Sequence, residues 1–253
     1  MPWKEPWYLK FRRRFQKPFN RIFHRQHYFV SQYLGADFLL QPSGIGTLEI
    51  SAKISERPEL NYFMTRCAEL NPELFIDIGA NIGMYSCILL KNNCVPRAVL
   101  FEPDRLNLIR LKANLLINGL LDLCEVHEAA LGDVASLRRL VPGKIDGGFS
   151  RIVDDCTDGT SSYDVKVVRL DDVFGLSDLR LAIKVDVEDY ECNVLSGMER
   201  ILRDNRCLIQ IETTKYFNRV QSLMAAQGYQ MIANLLPNFI FSNVNPARPS
   251  NRF

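Results

Sequence analysis

The sequence has no C-x-x-C pair: its seven cysteines, at positions 67, 87, 94, 124, 156, 192 and 207, are scattered and odd in number. Neither a disulfide framework nor a cysteine-ligated zinc site is suggested, and a reducing compartment suits the chain. Long apolar runs are missing too. None approaches the roughly 18–20 residues a spanning helix needs, and no apolar stretch of a secretory leader follows the arginine-rich start. The expectation is a cytoplasmic protein, at most peripheral to a membrane. Internal repeats are absent. With 47% hydrophobic and 24% charged residues the composition excludes a disordered chain, and 253 residues can bury a large core without staples.

The small net charge of +2 conceals an uneven distribution. Residues 1–36 carry eight lysines and arginines against Glu5 alone. Among these charges Trp7, Phe11, Phe15, Phe19, Ile22 and Phe23 recur at helical spacing, with Pro18 as a break between two helices. The first expectation is that these rings dock on the main domain. Contact of residues 1–30 with an anionic membrane surface is the alternative, and nucleic acid is less favoured. Residues 36–50 read as a hairpin and 56–70 as a lead-in helix, so the division expected is 1–50 as an appended segment and 51–253 as the main domain.

From Leu74 short apolar runs alternate with amphipathic stretches, the pattern of a mostly parallel α/β sheet covered by helices on both faces. Strands are expected at 74–78, 97–102, 123–128, 181–187 and 206–212, and helices near 82–92, 104–118, 189–203 and 215–227. Residues 132–170, rich in glycine, read as loops with one short strand. Residues 229–233 and 239–242 read as a closing antiparallel hairpin.

Three strand ends carry chemistry. Phe75-Ile76-Asp77 runs into the turn Ile78-Gly79-Ala80-Asn81-Ile82-Gly83, which lacks the G-x-G-x-x-G of a dinucleotide site. Gly79 permits a sharp bend, Asn81 tolerates positive φ and Gly83 allows close helix packing, so the turn's amides are expected to approach a ligand. Asp77 in its mouth suits the amino-acid end of a methionine moiety better than a pyrophosphate. The next strand ends at Glu102, where a carboxylate can hold a ribose diol. Ile183-Lys184-Val185-Asp186-Val187-Glu188 alternates, so its three charged groups are expected on one face near the strand's carboxyl end, where open α/β sheets bind ligands.

Phe75–Ser86, Phe101-Glu102-Pro103, 129–133, 169–172 and Ile183–Gly197 together resemble the FkbM-type family of S-adenosylmethionine-dependent methyltransferases. The similarity spans about residues 45–240. Its most specific piece is Lys184-x-Asp186-x-Glu188-Asp189-x-Glu191 followed by Leu195-x-Gly197; Asp189 stands where that family commonly has glycine. The resemblance implies a Rossmann-like class I methyltransferase fold with S-adenosylmethionine bordered by Asp77, Gly79, Ala80, Asn81 and Gly83. It further implies ribose on Glu102, adenine beside Glu128, Ala129 and Ala130, and the reacting methyl near Asp186 and Glu188. It also implies O-methylation of a sugar, glycan or other hydroxylated small molecule.

A hydroxyl acceptor needs a base, for which Asp186, Glu188 and Glu212 are the candidates. His127 is read as structural, and no metal is expected. Two other readings remain open. An RNA methyltransferase would use the basic start, although the acidic 186–189 segment would repel phosphate. A non-enzymatic interaction module would show degenerated cofactor turns, and these are intact.

Overall fold

The computed structural model describes residues 28–40, 57–143, 150–153 and 161–244. The helices expected before Pro18 and after it, and positions 41–50 of the expected hairpin, lie outside these residues.

The chain opens on β1 (Phe29–Tyr33) and β2 (Ala36–Leu40), an antiparallel pair turned by Leu34 (φ 47°) and Gly35 (φ 82°). Two consecutive positive φ angles give the tight turn that matches strand twist. The hairpin therefore starts earlier than the sequence reading placed it.

Next come α1 (Arg57–Leu70), β3 (Leu74–Ile78), α2 (Met84–Lys91), β4 (Ala98–Phe101), α3 (Arg105–Ile117) and β5 (Cys124–His127). Four short strands follow: β6 (Ala130–Leu131), β7 (Ser136–Val141), β8 (Arg151–Val153) and β9 (Tyr163–Val168). The remainder is α4 (Leu170–Val173), β10 (Arg180–Val185), α5 (Glu191–Ser196), α6 (Glu199–Asp204), β11 (Arg206–Glu212), α7 (Phe217–Ala226), β12 (Gln230–Leu235) and β13 (Asn238–Ser242).

The main sheet runs β12-β13-β11-β10-β3-β4-β5, parallel except for β13, which is antiparallel to both neighbours. Strand order reverses between β3 and β10, the switch point at which such sheets open a crevice. Side chains alternate between two cores. Phe75, Ala182, Leu208 and Ile240 share one with α2, α3 and the β1–β2 hairpin. Ile76, Ile183, Ile209 and Phe241 share the other with α5, α6 and α7. The hairpin is clamped by two asparagines of α3: Leu39 N donates to Asn114 Oδ1 (2.8 Å) and Asp37 N to Asn118 Oδ1 (2.9 Å).

Two expectations need correction. Residues 132–170 do not form loops with one strand: β6, β9, β7 and β8 make a second, four-stranded sheet. The single helix expected over 189–203 is two, separated at Gly197 and Met198. A Cβ at Gly197 would lie 1.9 Å from the carbonyl oxygen of Gly132, so backbone meets backbone where the chain leaving β6 abuts the junction of α5 and α6. Asp171 stabilises the second of these helices, accepting from Arg200 N and Ile201 N at 2.9 Å each, which makes it a helix-capping residue.

Candidate active site

β3, β10 and β4 end side by side, and each end carries a carboxylate. Asp77 lies in β3 on the α2 face and is buried, its Oδ2 accepting from Ser86 Oγ at 2.6 Å. Burial pushes its carboxyl above the ordinary range, partly offset by the Lys184 charge and the Ser86 hydrogen bond. Lys184 pairs with Asp77 across the ladder, and its Nζ reaches Asp186 Oδ2 at 2.6 Å. The same ammonium sits 4.5 Å from the Tyr85 ring centroid. A lysine nearly without exposure in a central strand is thus held between two acids and an aromatic face.

Glycine is required at the bend. Gly79 has φ 77°, and a Cβ there would stand 1.9 Å from the backbone oxygen of Asp186. Asn81 takes φ 50°, as its residue type allows, and a Cβ at Gly83 would meet Leu111 Cδ1 at 2.4 Å. Four of the five amides from Gly79 to Gly83, which the sequence reading expected to approach a ligand, are engaged within the protein. Gly79 N and Ala80 N both donate to Phe101 O at 3.0 Å, Asn81 N to Glu102 Oε2 at 2.7 Å, and Gly83 N to Ala80 O at 2.7 Å. Two of these donors fix the turn to β4 and a third to Glu102 just past it, so the mouth is dominated by carboxylates and Lys184. This polarity suits an ammonium group and disfavours a pyrophosphate.

Glu102 is buried at the end of β4, its Oε1 accepting from Asp104 N at 2.8 Å. Burial outweighs these amide hydrogen bonds and lifts its carboxyl to about 7. The Asn107 side chain also donates to this carboxylate, so a ribose diol would share or displace one of these donors. Past β5, Glu128 is exposed, with Arg105 Nε 3.9 Å away, whereas Ala129 and Ala130 are buried beneath the rim. His127 stacks on Phe101 with centroids 4.7 Å apart, a packing contact in keeping with the structural reading.

The expected run of three charges on one face holds for Lys184 and Asp186 only. β10 ends at Val185, and Glu188 (φ 32°) and Asp189 (φ 71°) bend the chain away from strand geometry. Glu188 stands exposed at the rim, yet partial burial of its carboxyl and the charges of Asp186, Asp189 and Glu191 raise it to about 7. Glu191 is buried, holding Asp189 N at 3.0 Å and so supporting the bend. Glu212, at the end of β11, lies opposite Asn238 of β13.

A small recess of about 30 Å³, open to solvent, is lined by Asp77, Asn81, Tyr85, Lys184 and Asp186. Among the described residues no cluster of histidine, cysteine and acidic groups could hold a metal ion. Sequence reasoning missed Tyr85 and Gln210. Gln210 pairs with Lys184 across the sheet and donates to Tyr85 Oη and Asn238 Oδ1, each at 2.7 Å. The signal was available, as Gln210 is the one amide inside the apolar run Leu208–Ile211.

The methyltransferase FkbM domain matches residues 77–231, which takes in all three strand ends and the segment between them. This chain belongs to the FkbM methyltransferase family. Members of that family generally use S-adenosylmethionine. No curated protein matches the chain. Among solved structures, methyltransferase FkbM from Methylobacillus flagellatus KT superposes with a TM-score of 0.50 at 19% identity, over 68% of this chain and 44% of its own. The FkbM chain described here thus spans less than half of that protein's length. The precorrin-6y C5,15-methyltransferase of Geobacter metallireducens GS-15 matches with a TM-score of 0.45 at 14% identity, over 75% of this chain and 89% of its own. A methyltransferase from Geobacter sulfurreducens matches with a TM-score of 0.46 at 15% identity, over 78% and 84%. The likeness to the first of these shows a Rossmann-like methyltransferase fold.

Proposed function

We propose that this FkbM domain binds S-adenosylmethionine across the ends of β3 and β4 and transfers its methyl group to a hydroxyl of a sugar, glycan or other hydroxylated small molecule. The observation that carries this reading is the placement of Asp77, Glu102 and Asp186 at adjacent strand ends, Asp77 and Asp186 lining one recess and Glu102 bound to Asn81 N of the same turn. Glu102 would hold the ribose hydroxyls. Asp77 and the carboxylate-rich mouth of the turn would hold the amino-acid end, with Ala129 and Ala130 supporting the adenine.

When bound, S-adenosylmethionine supplies a methyl group already activated by its sulfonium, so alignment of the acceptor is the main remaining task. A hydroxyl acceptor must also lose a proton. Glu188, raised to about 7 and exposed beside Asp186, is matched to that role near neutral pH. Asp186 is committed to Lys184 at 2.6 Å and is better suited to positioning. Glu212 stands one strand further from β3 and is the third candidate.

Calorimetry with S-adenosylmethionine tests the first half of the proposal, and a labelled-methyl screen across hydroxylated acceptors tests the second. Sub-millimolar binding that Glu102→Ala weakens supports the cofactor assignment. Absence of binding would overturn it in favour of a module without catalysis.

A further inference from the structure

Gln210 is the buried polar residue that folding explains least. Its Nε2 spends both hydrogens on Tyr85 Oη and Asn238 Oδ1, and its Oε1 finds no hydrogen-bond donor among the described residues. A buried carbonyl oxygen without a donor costs stability. Its strand neighbours Leu208, Ile209 and Ile211 are aliphatic, and side chains without polar atoms would pair at this position and on α2 at no such cost. The amide is therefore to be explained by what it holds.

What it holds lines the recess. Asp77, Lys184 and Gln210 stand in register on β3, β10 and β11, so their side chains form one polar row on the α2 face of the sheet. Tyr85 of α2 lies over this row. Gln210 donates to its hydroxyl, Phe63 meets its ring edge-on with centroids 6.3 Å apart, and the Lys184 ammonium lies 4.5 Å from its ring centre. Lysine is a flexible stem ending in a point charge, so a buried ammonium points where its surroundings direct it. Here the Tyr85 ring covers one side of that charge, and Asp186 Oδ2 accepts its hydrogen bond at 2.6 Å. Tyr85, Lys184 and Asp186 all border the recess.

We propose, on the reading that S-adenosylmethionine occupies this recess, that Gln210 and Tyr85 are positioning residues. They hold the Lys184 ammonium on Asp186 and so fix the charges that receive the amino-acid end of the cofactor. Gln210 acts through Tyr85, and Tyr85 through Lys184; neither needs to touch the reacting atoms. Without the Gln210 hydrogen bond the ring is free to turn, and the ammonium loses its cover and swings toward Asp77. Asp186 is then left without its counter-charge at the rim, in a site whose electrostatics depend on every member of the network.

The test combines calorimetry with S-adenosylmethionine and nitrogen NMR of the Lys184 ammonium, the latter assigned by its loss in K184R. Both are applied to the full chain as wild type, Q210L, Y85F and the double variant, with circular dichroism to check folding. Q210L/Y85F replaces both partners by apolar groups of similar size and should stay folded even where a single variant does not. Each variant should raise the dissociation constant for S-adenosylmethionine by about tenfold. The double variant should lose no more than the larger single effect, because the two residues act in one chain. The ammonium signal of the ligand-free protein should shift or broaden in all three. Folded variants with wild-type affinity would overturn the proposal and leave the cofactor reading in place. So would weakened binding with an unchanged ammonium signal, since the effect would then bypass Lys184, and so would losses that simply add in the double variant. Wild-type protein that binds no S-adenosylmethionine would instead overturn the cofactor reading and this proposal together.

Discussion

Asn114 Nδ2 donates to the carbonyl oxygen of Ile82 at 2.8 Å, inside the turn that follows β3. Its Oδ1 accepts from Leu39 N at 2.8 Å, so one buried amide joins the turn to the amino-terminal hairpin. Asn114→Ala leaves both backbone partners unsatisfied and should cost about 2–4 kcal/mol of stability. Urea denaturation checks the magnitude. A loss of stability with an unchanged dissociation constant for S-adenosylmethionine would mean that the turn keeps its shape without the hairpin.

Gly79→Ala places a methyl group where the Asp186 carbonyl oxygen stands and forces alanine to φ 77°. The expected outcome is a loss of about 2 kcal/mol or more, shared between folding and cofactor affinity. Gly119→Ala is the control, since nothing lies within 4 Å of a Cβ there although its φ is also positive. Equal behaviour of the two variants in thermal melts would show that backbone conformation, and not the Asp186 contact, governs the bend.

Glu102 shifts upward on folding, from 4.5 to about 7. The folded state therefore holds this proton more tightly than the unfolded chain. Its contribution favours folding fully below pH 4.5 and is lost as pH rises through about 7. Glu102→Gln should flatten that part of the stability profile. Hydroxyl donors favour the ionised carboxylate, so cofactor binding near neutral pH should release a proton, seen as a buffer-dependent calorimetric enthalpy that the variant lacks.

Glu188 predicts the rate profile. Methyl transfer to a hydroxyl should rise with pH through about 7, as this carboxyl ionises. Glu188→Gln should remove the inflection and slow turnover by about 10²–10⁴-fold while leaving cofactor affinity in place. A Glu188→Gln enzyme with wild-type rate and profile would pass the role of base to Asp186 or Glu212.

Much of the fold was legible because the central strands announce themselves. Leu74–Ile78 and Arg206–Glu212 are dense apolar runs bounded by polar turns, and the structure ends them where the pattern does or within one residue. Glu102 was legible as an acid closing such a run. What escaped depends on contacts between distant segments. β10 stops short because Glu188 and Asp189 adopt positive φ, a conformation supported by Glu191 and not signalled by alternation. The four-stranded sheet escaped because its strands are short and separated by glycine-rich stretches, so pairing such as β7 with β9 has no local signature. The turn's donors could not be assigned in advance either, since Gly79 N and Ala80 N find their acceptor, Phe101 O, on another strand.

The abutment of Gly197 on Gly132 couples parts that lie far apart along the chain. Gly132 itself has no room for a side chain, because a Cβ would come within 2.7 Å of Val167 and 3.0 Å of Tyr190. Tyr190 follows Glu188 by two residues, so the small sheet and the bend bearing that carboxylate are meshed like adjoining gear teeth. A bulkier residue at position 132 would therefore press on Tyr190 and displace the neighbouring segment that carries Glu188.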